Sequence, residues 1–182
     1  MKGLNMKAKT LILCVGMLLA GLTAQGAMAS EKGTARIEKQ VSHELNMLPY
    51  GSVFDYVKFT VDQNGTVTLT GDVTQPYMKD DISRAVKRVE GVEKVDNQIN
   101  VLPLSPYDAR LRFQLYRSIY GYPTMQRYAL GTEGPIRIIV DNGHVTLLGV
   151  VDNQADKIIA GMRANSVPGI FSVDNQLQVV KG

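Results

Sequence analysis

Cysteine is nearly absent from this chain: Cys14 is the only one among 182 residues. It lies in an N-terminal segment expected to be removed, which leaves no disulfide, no thiolate nucleophile and no cysteine metal ligand. Histidine is almost as scarce, with only His43 and His144. Neither has a local partner at ligand spacing, and a metal centre needs three or four convergent donors. There is no Gly-X-Ser-X-Gly elbow, no phosphate-binding loop and no dinucleotide fingerprint. Asp80-Asp81 and Glu90/Glu93 are carboxylate pairs, but they fall on helix and turn positions expected to face water. These absences predict a protein that is not an enzyme and holds no metal or cofactor.

An excess of one charge is missing as well. Lys2, Lys7 and Lys9 belong to the removable segment, so the 20 basic and 17 acidic residues of the full chain become 17 of each. A nucleic-acid binder needs a basic footprint, and the total shows none. The small imbalance that remains is internal. Residues 36–104 hold 8 basic and 10 acidic residues, and residues 105–182 hold 8 and 6. Either the two halves attract each other, or the second alone meets an anionic surface.

The removable segment has the layout of an export signal. Three lysines precede the apolar run Leu11 to Ala20, and Ala27-Met28-Ala29 puts small residues where a signal peptidase reads. The run is too short for a comfortable membrane span. Residues 1–29 are therefore expected to be cut after Ala29, leaving a periplasmic or secreted product. Ser30 stands where a lipoprotein would need cysteine.

What the sequence does have is a repeat. Val67-Thr68-Leu69-Thr70-Gly71-Asp72-Val73 returns as Val145-Thr146-Leu147-Leu148-Gly149-Val150-Val151, and Gly91-Val92…Val95-Asp96-Asn97-Gln98 returns as Gly169-Ile170…Val173-Asp174-Asn175-Gln176, both at an offset of 78 residues. Two units follow, 34–102 and 107–181, joined by 103–106. Pro103 and Pro106 stiffen that link. Units this small bury little apolar area alone, so the two should pack together.

Each unit reads as α-β-β-α-β. In the first, Ile37, Val41, Leu45 and Leu48 recur at helical spacing. Val57, Phe59 and Val61, then Val67, Leu69, Gly71 and Val73, alternate around a Gln63-Asn64-Gly65 turn as a hairpin. Met78, Ile82, Ala85, Val86 and Val89 stripe a second helix that stops at Gly91, and a strand covers about 94–102. The second unit predicts a helix at 107–120, strands at 136–141 and 144–151, a helix at 154–165 capped by Asp152 or Asn153, and a strand at 172–180. A right-handed β-α-β crossover makes each three-stranded sheet mixed. One apolar sheet face requires both helices on that side. The fold class is α+β.

At this point the residues carry a resemblance. Gly65 to Val73 with Gly91 to Val101, and Gly143 to Val151 with Gly169 to Val179, follow Gly-X-Val-X-Leu-X-Gly-X-Val, a helix, then Gly-Val-X-X-Val-X-Asn-X-Ile/Leu-X-Val. This resembles the BON domain of bacterial envelope proteins. A tandem pair behind a cleavable signal is similar to the osmotically induced periplasmic members of that family. The resemblance implies a binding or stress-protection role at the envelope, with contact to anionic phospholipid in some relatives.

The repeated polar and glycine positions read as structural. Gly71 and Gly149 lie on an inward strand face, where a missing side chain lets a helix approach. Gly91 and Gly169 end helices in a conformation cheap for glycine. Asn97 and Asn175 fall on the apolar face and need hydrogen-bond partners, expected in a neighbouring loop. Function is expected where the copies differ. With Arg36 aligned on Arg110, the core stripe Ile37, Val41, Leu45 becomes Leu111, Leu115, Ile119. The opposite stripe Lys39, Ser42, His43, Asn46 becomes Phe113, Tyr116, Arg117, Tyr120. Rings with arginine suit a half-wet interface; equally, the helix could be buried on two sides, one stripe on its own sheet and the other on the first unit. On the back of the sheet, Thr60, Thr70 and Asp72 become Ile139, Leu148 and Val150, an apolar patch that should pack on a partner surface, either the first unit or another molecule. Two partners fit: an anionic phospholipid surface met by Arg110, Phe113, Tyr116, Arg117 and Tyr120, or envelope proteins, including unfolded ones, held on the Ile139/Leu148/Val150 face.

Overall fold

A computed structural model describes residues 21–49, 51–129 and 135–180, with side chains from 33 onward. The apolar run Leu11 to Ala20 lies outside the described residues. The first unit comprises α1 (Gly21–Met47), β1 (Tyr56–Val61), β2 (Thr66–Val73), α2 (Pro76–Lys87) and β3 (Lys94–Val101). The second comprises α3 (Pro106–Tyr120), a 3₁₀ segment (Pro123–Ala129), β4 (Ile136–Asp141), β5 (His144–Val151), α4 (Gln154–Asn165), β6 (Ser172–Asn175) and β7 (Gln178–Val179). Helix α1 is continuous through Ala29, the expected cleavage point.

Both sheets are mixed, as the crossover argument requires. The central strand β2 pairs antiparallel with β1 and parallel with β3. In the second unit β5 pairs antiparallel with β4 and parallel with β6 and β7. The expected single last strand is broken here into β6 and β7 around Gln176-Leu177, although Gln176 still donates to the Leu147 carbonyl at 2.9 Å. The first core joins Ile37 and Val41 of α1 to Met78, Ile82 and Val86 of α2 over Val67, Leu69 and Ile99. The second joins Leu111, Leu115 and Ile119 of α3 to Ala160 and Ala164 of α4 over Ile136, Ile138, Val145 and Leu147. Both helices of each unit therefore cover one sheet face, and apolar burial on that face is the main stabilising term.

The repeated asparagines and the strand glycines have other neighbours than expected. Asn97 donates to the Lys79 carbonyl at 2.9 Å and accepts from Ile99 N–H; Asn175 does the same with Lys157 at 2.7 Å and Leu177. Their partner is thus the backbone of the second helix, not a loop. Gly71 and Gly149 have φ of +122° and +111°, and a Cβ there would lie 2.0 and 1.9 Å from the carbonyl oxygens of Tyr56 and Pro135. The close approach comes from the neighbouring strand and its entry, not from a helix.

The units pack together through a short clasp that sequence did not indicate. Residues 52–54 of the first unit run beside the outer edge of β4. Ile138 N–H donates to the Val53 carbonyl at 2.7 Å, and Arg137 Nη1 to the Ser52 carbonyl at 2.8 Å. Val53 and Phe54 pack against the second core. Asp55 anchors the segment from behind: its carboxylate accepts Thr74 N–H at 2.6 Å, Thr74 Oγ1–H at 2.9 Å and the Ser52 hydroxyl.

Candidate docking surface

Helix α3 starts at Ser105, whose side chain accepts Asp108 N–H, with Pro106 at its first turn. Leu111, Leu115 and Ile119 face the sheet. Helical spacing then fixes the other directions. Ser118 turns toward α4, its hydroxyl donating to the Arg163 carbonyl at 2.8 Å while Arg163 Nε donates to the Ser118 carbonyl at 3.0 Å. Tyr116 turns toward the first unit, edge-on to Phe54 at 6.4 Å between ring centroids. Arg110, Phe113 and Arg117 are left facing away from the sheet. Phe113 is 60% exposed, and the Arg117 guanidinium lies 5.8 Å from its ring centre. Arg110 lies 6.0 Å from the ring of Tyr107.

The expected stripe is thus only partly a surface. Tyr120 is not on it: it is 3% exposed and its hydroxyl donates to the Ile136 carbonyl at 2.6 Å. Burial pushes its phenol up to about 12, against the lowering effect of the Arg137 charge. The reason is the longer loop of the second unit. Met125 and Tyr128 of the 3₁₀ segment join Tyr120 in the core. The Tyr128 hydroxyl donates to Asp156 at 2.7 Å and accepts Asp152 N–H at 2.8 Å, while Arg127 pairs with both carboxylates. This network ties the loop to the start of α4 and closes over Tyr120.

The sheet back is likewise reduced. Ile139 is 5% exposed, buried one residue along from the point where Val53 meets β4, so it is not part of an open face. Leu148 is half-buried, and Val150, at 44%, is the most open of the three.

Two polar groups set the shape behind the surface. Asp108 is fully buried and accepts Asn142 N–H and Gly143 N–H, each at 2.9 Å, which holds the β4–β5 turn against α3. Arg112 is buried beside it and donates to the Val140 carbonyl at 2.7 Å. Burial pulls its guanidinium down, and Asp108, Asp55 and Asp141 push it back. Sequence reasoning missed both, because a charged residue one step off a polar stripe reads as solvated. It also missed Phe171, 70% exposed and stacked with Tyr107 at 6.5 Å. Both histidines are exposed, as expected; His144 Nδ1 lies 2.7 Å from the Ser172 hydroxyl. Among the described residues no group of three or more metal-ligating side chains is gathered, and no helix is long and apolar enough to cross a membrane.

A duplicated α-β-β-α-β fold with a Gly/Val/Asn signature and a surface of rings and arginines defines a binding module. The model of the BON domain matches residues 33–103 and 127–181, and the chain belongs to that family. BON domains are non-catalytic binding domains of envelope proteins, linked to membrane and phospholipid contact. The second match starts after α3, the element in which the two units differ most. No curated protein matches the chain. Among solved structures it is similar to CdsD, a structural protein of the type III secretion system of Chlamydia trachomatis, at 16% identity over 79% of this chain and 92% of that one, with a TM-score of 0.29. It is similar to the C-terminal domain of CdsD at 17% identity over 79% and 96%, also with a TM-score of 0.29.

Proposed function

We propose that this is a periplasmic, non-enzymatic envelope protein whose second BON unit docks on anionic phospholipid. One observation carries the reading: α3 presents Phe113 outward between Arg110 and Arg117, and its only carboxylate, Asp108, is buried and spent on the β4–β5 turn. An exposed ring flanked by guanidinium groups suits the headgroup boundary, where the ring enters and the cations stay wet. Without a lipid chain such binding is reversible. Capture of envelope proteins on the sheet back is the weaker reading, since Ile139 is withdrawn from that face.

The test is co-sedimentation with phosphatidylglycerol and phosphatidylcholine vesicles. Binding should favour the anionic lipid and weaken with salt. Each arginine near an anionic surface contributes ~1 kcal/mol, so the Arg110→Gln/Arg117→Gln variant should bind roughly 30-fold more weakly at low salt. Equal binding to both vesicle types, or none to either, refutes the reading.

A further inference from the structure

The 78-residue offset allows every exposed position of the second unit to be compared with its counterpart in the first. On α4, Ile158 and Met162 are 51% and 66% exposed, and Phe171 beyond it is 70% exposed. Their counterparts in the first unit are Asp80, Arg84 and Glu93. Two carboxylates and an arginine on one copy have become three large apolar side chains on the other. The fold does not need them there, since the first unit closes its core without them.

Packing fixes where Ile158 and Met162 point, whereas the Phe171 ring lies over Gly143 of the β4–β5 turn and 5.8 Å from the His144 ring. Ala160 and Ala164 of α4 are fully buried against the sheet. Arg163 turns toward α3 through its bond to Ser118. Gly161 turns toward β6, where a Cβ would lie 2.8 Å from Asn175 Nδ2. The remaining side of α4 carries Ile158 and Met162, four residues apart, directed away from the sheet. That is also the direction of Phe113, Arg110 and Arg117 on α3. A shallow groove between the helices, lined by Phe113, Arg117, Arg163 and Pro168, joins the two halves.

We infer that the membrane-contact surface is the whole outer face of the α3–α4 layer, with Ile158 and Met162 entering the acyl boundary together with Phe113. This rests on the lipid-docking reading above and extends it from one helix to two. The occupant is an anionic bilayer. Arg110, Arg117 and Arg163 edge the apolar side chains, and the carboxylates of both helices, Asp108 and Asp156, are buried and engaged within the protein. A broad, nearly flat apolar face ringed by guanidinium groups matches a charged lipid surface better than a narrow groove ligand.

The chain has no tryptophan, so a single introduced indole is a clean depth reporter. Phe113→Trp and Met162→Trp would each be mixed with phosphatidylglycerol vesicles carrying brominated acyl chains, with Arg84→Trp as the first-unit control. The expected result is a blue shift and quenching at the two second-unit positions and neither at the control. Ile158→Ser/Met162→Ser should lower vesicle partition on the order of tenfold. Quenching at position 113 with none at 162 overturns the two-helix surface and leaves docking through α3 intact. Wild-type protein that stays in the supernatant overturns the docking reading and this extension with it.

Discussion

Replacing Asp108 by asparagine tests whether the β4–β5 turn is held from α3. The carboxylate is fully buried, and each oxygen accepts one turn amide at 2.9 Å. Asparagine keeps the volume but offers one acceptor oxygen. Its amide nitrogen would face a backbone N–H that has no other use for it. A hydrogen bond to a charged group contributes ~1.5–3 kcal/mol, and a buried donor left unsatisfied costs ~1–3 kcal/mol. Arg112 also loses the carboxylate that offsets its burial most, and a buried charge with less compensation adds to the cost. Together these give a loss of about 3–5 kcal/mol, a large share of the stability of a small domain. Urea unfolding followed by far-ultraviolet circular dichroism reads the loss, and hydrogen exchange reads it at the Asn142 and Gly143 amides. The first-unit hairpin is the internal control, because its turn is held locally by Asp62, which accepts Asn64 N–H and Thr66 N–H. A loss under ~0.5 kcal/mol, or exchange that rises equally in both hairpins, would refute the reasoning.

Three further outcomes are expected. Burial raises the Tyr120 phenol from its ordinary 10 to about 12, so its stabilising contribution is complete below pH 10 and is lost as pH rises through 12. The change corresponds to ~2–3 kcal/mol; alkaline unfolding of wild type against Tyr120→Phe measures it, and identical pH profiles would contradict it. Phe54→Ala removes the first-unit ring that packs on Tyr116 and the second core; it should cost ~1–2 kcal/mol and speed exchange at the Ile138 amide, a second-unit position, which unchanged protection would disprove. The backbone amide of Thr66 holds the Asp62 carboxyl below its usual range, ahead of the opposing effect of burial and the aid of Asn64. Its support for the first hairpin is therefore present above the ordinary carboxylate pKa and lost as pH falls through the folded value; a proton titration of Asp62 that follows the free side chain would refute this.

The fold was legible because the two signals that specify it are local and occur twice. Strand alternation in Val67-Leu69-Val73 and Val145-Leu147-Val151 and the helical stripe Leu111-Leu115-Ile119 each depend on neighbours a few residues away, and all of these residues are buried as the pattern requires. What was not legible depends on contacts distant in the chain. Tyr120 has the spacing of an exposed residue, but the 3₁₀ segment and the Tyr128–Asp156 tie decide its burial. Ile139 has the alternation of an open face, but the clasp at Val53 beside β4 is made 85 residues upstream by the Ser52–Arg137 count. Gly71 was assigned to the right strand and the wrong neighbour, since period-two alternation says which face a residue occupies and nothing about its φ of +122°. Ile158, Met162 and Phe171 were readable in principle from the repeat, but Ile158 and Met162 at i and i+4 look like core on an amphipathic helix until the true core, Ala160 and Ala164, is seen beneath them.

The clasp also limits what the second unit can meet. Val53 takes the outer edge of β4, the edge an extended partner would otherwise extend, and Phe54 takes the Tyr116 flank of α3. The sheet-facing sides of α3 and α4 are core, and their facing sides are bonded through Ser118 and Arg163. The outer helical face, with Arg110, Phe113, Arg117, Ile158 and Met162, is the large side of that layer that the first unit does not cover. The first unit therefore has a physical task despite its water-facing charges: it blocks the strand edge and one flank of α3, and leaves uncovered the face where Phe113, aliphatic side chains and guanidinium groups lie together.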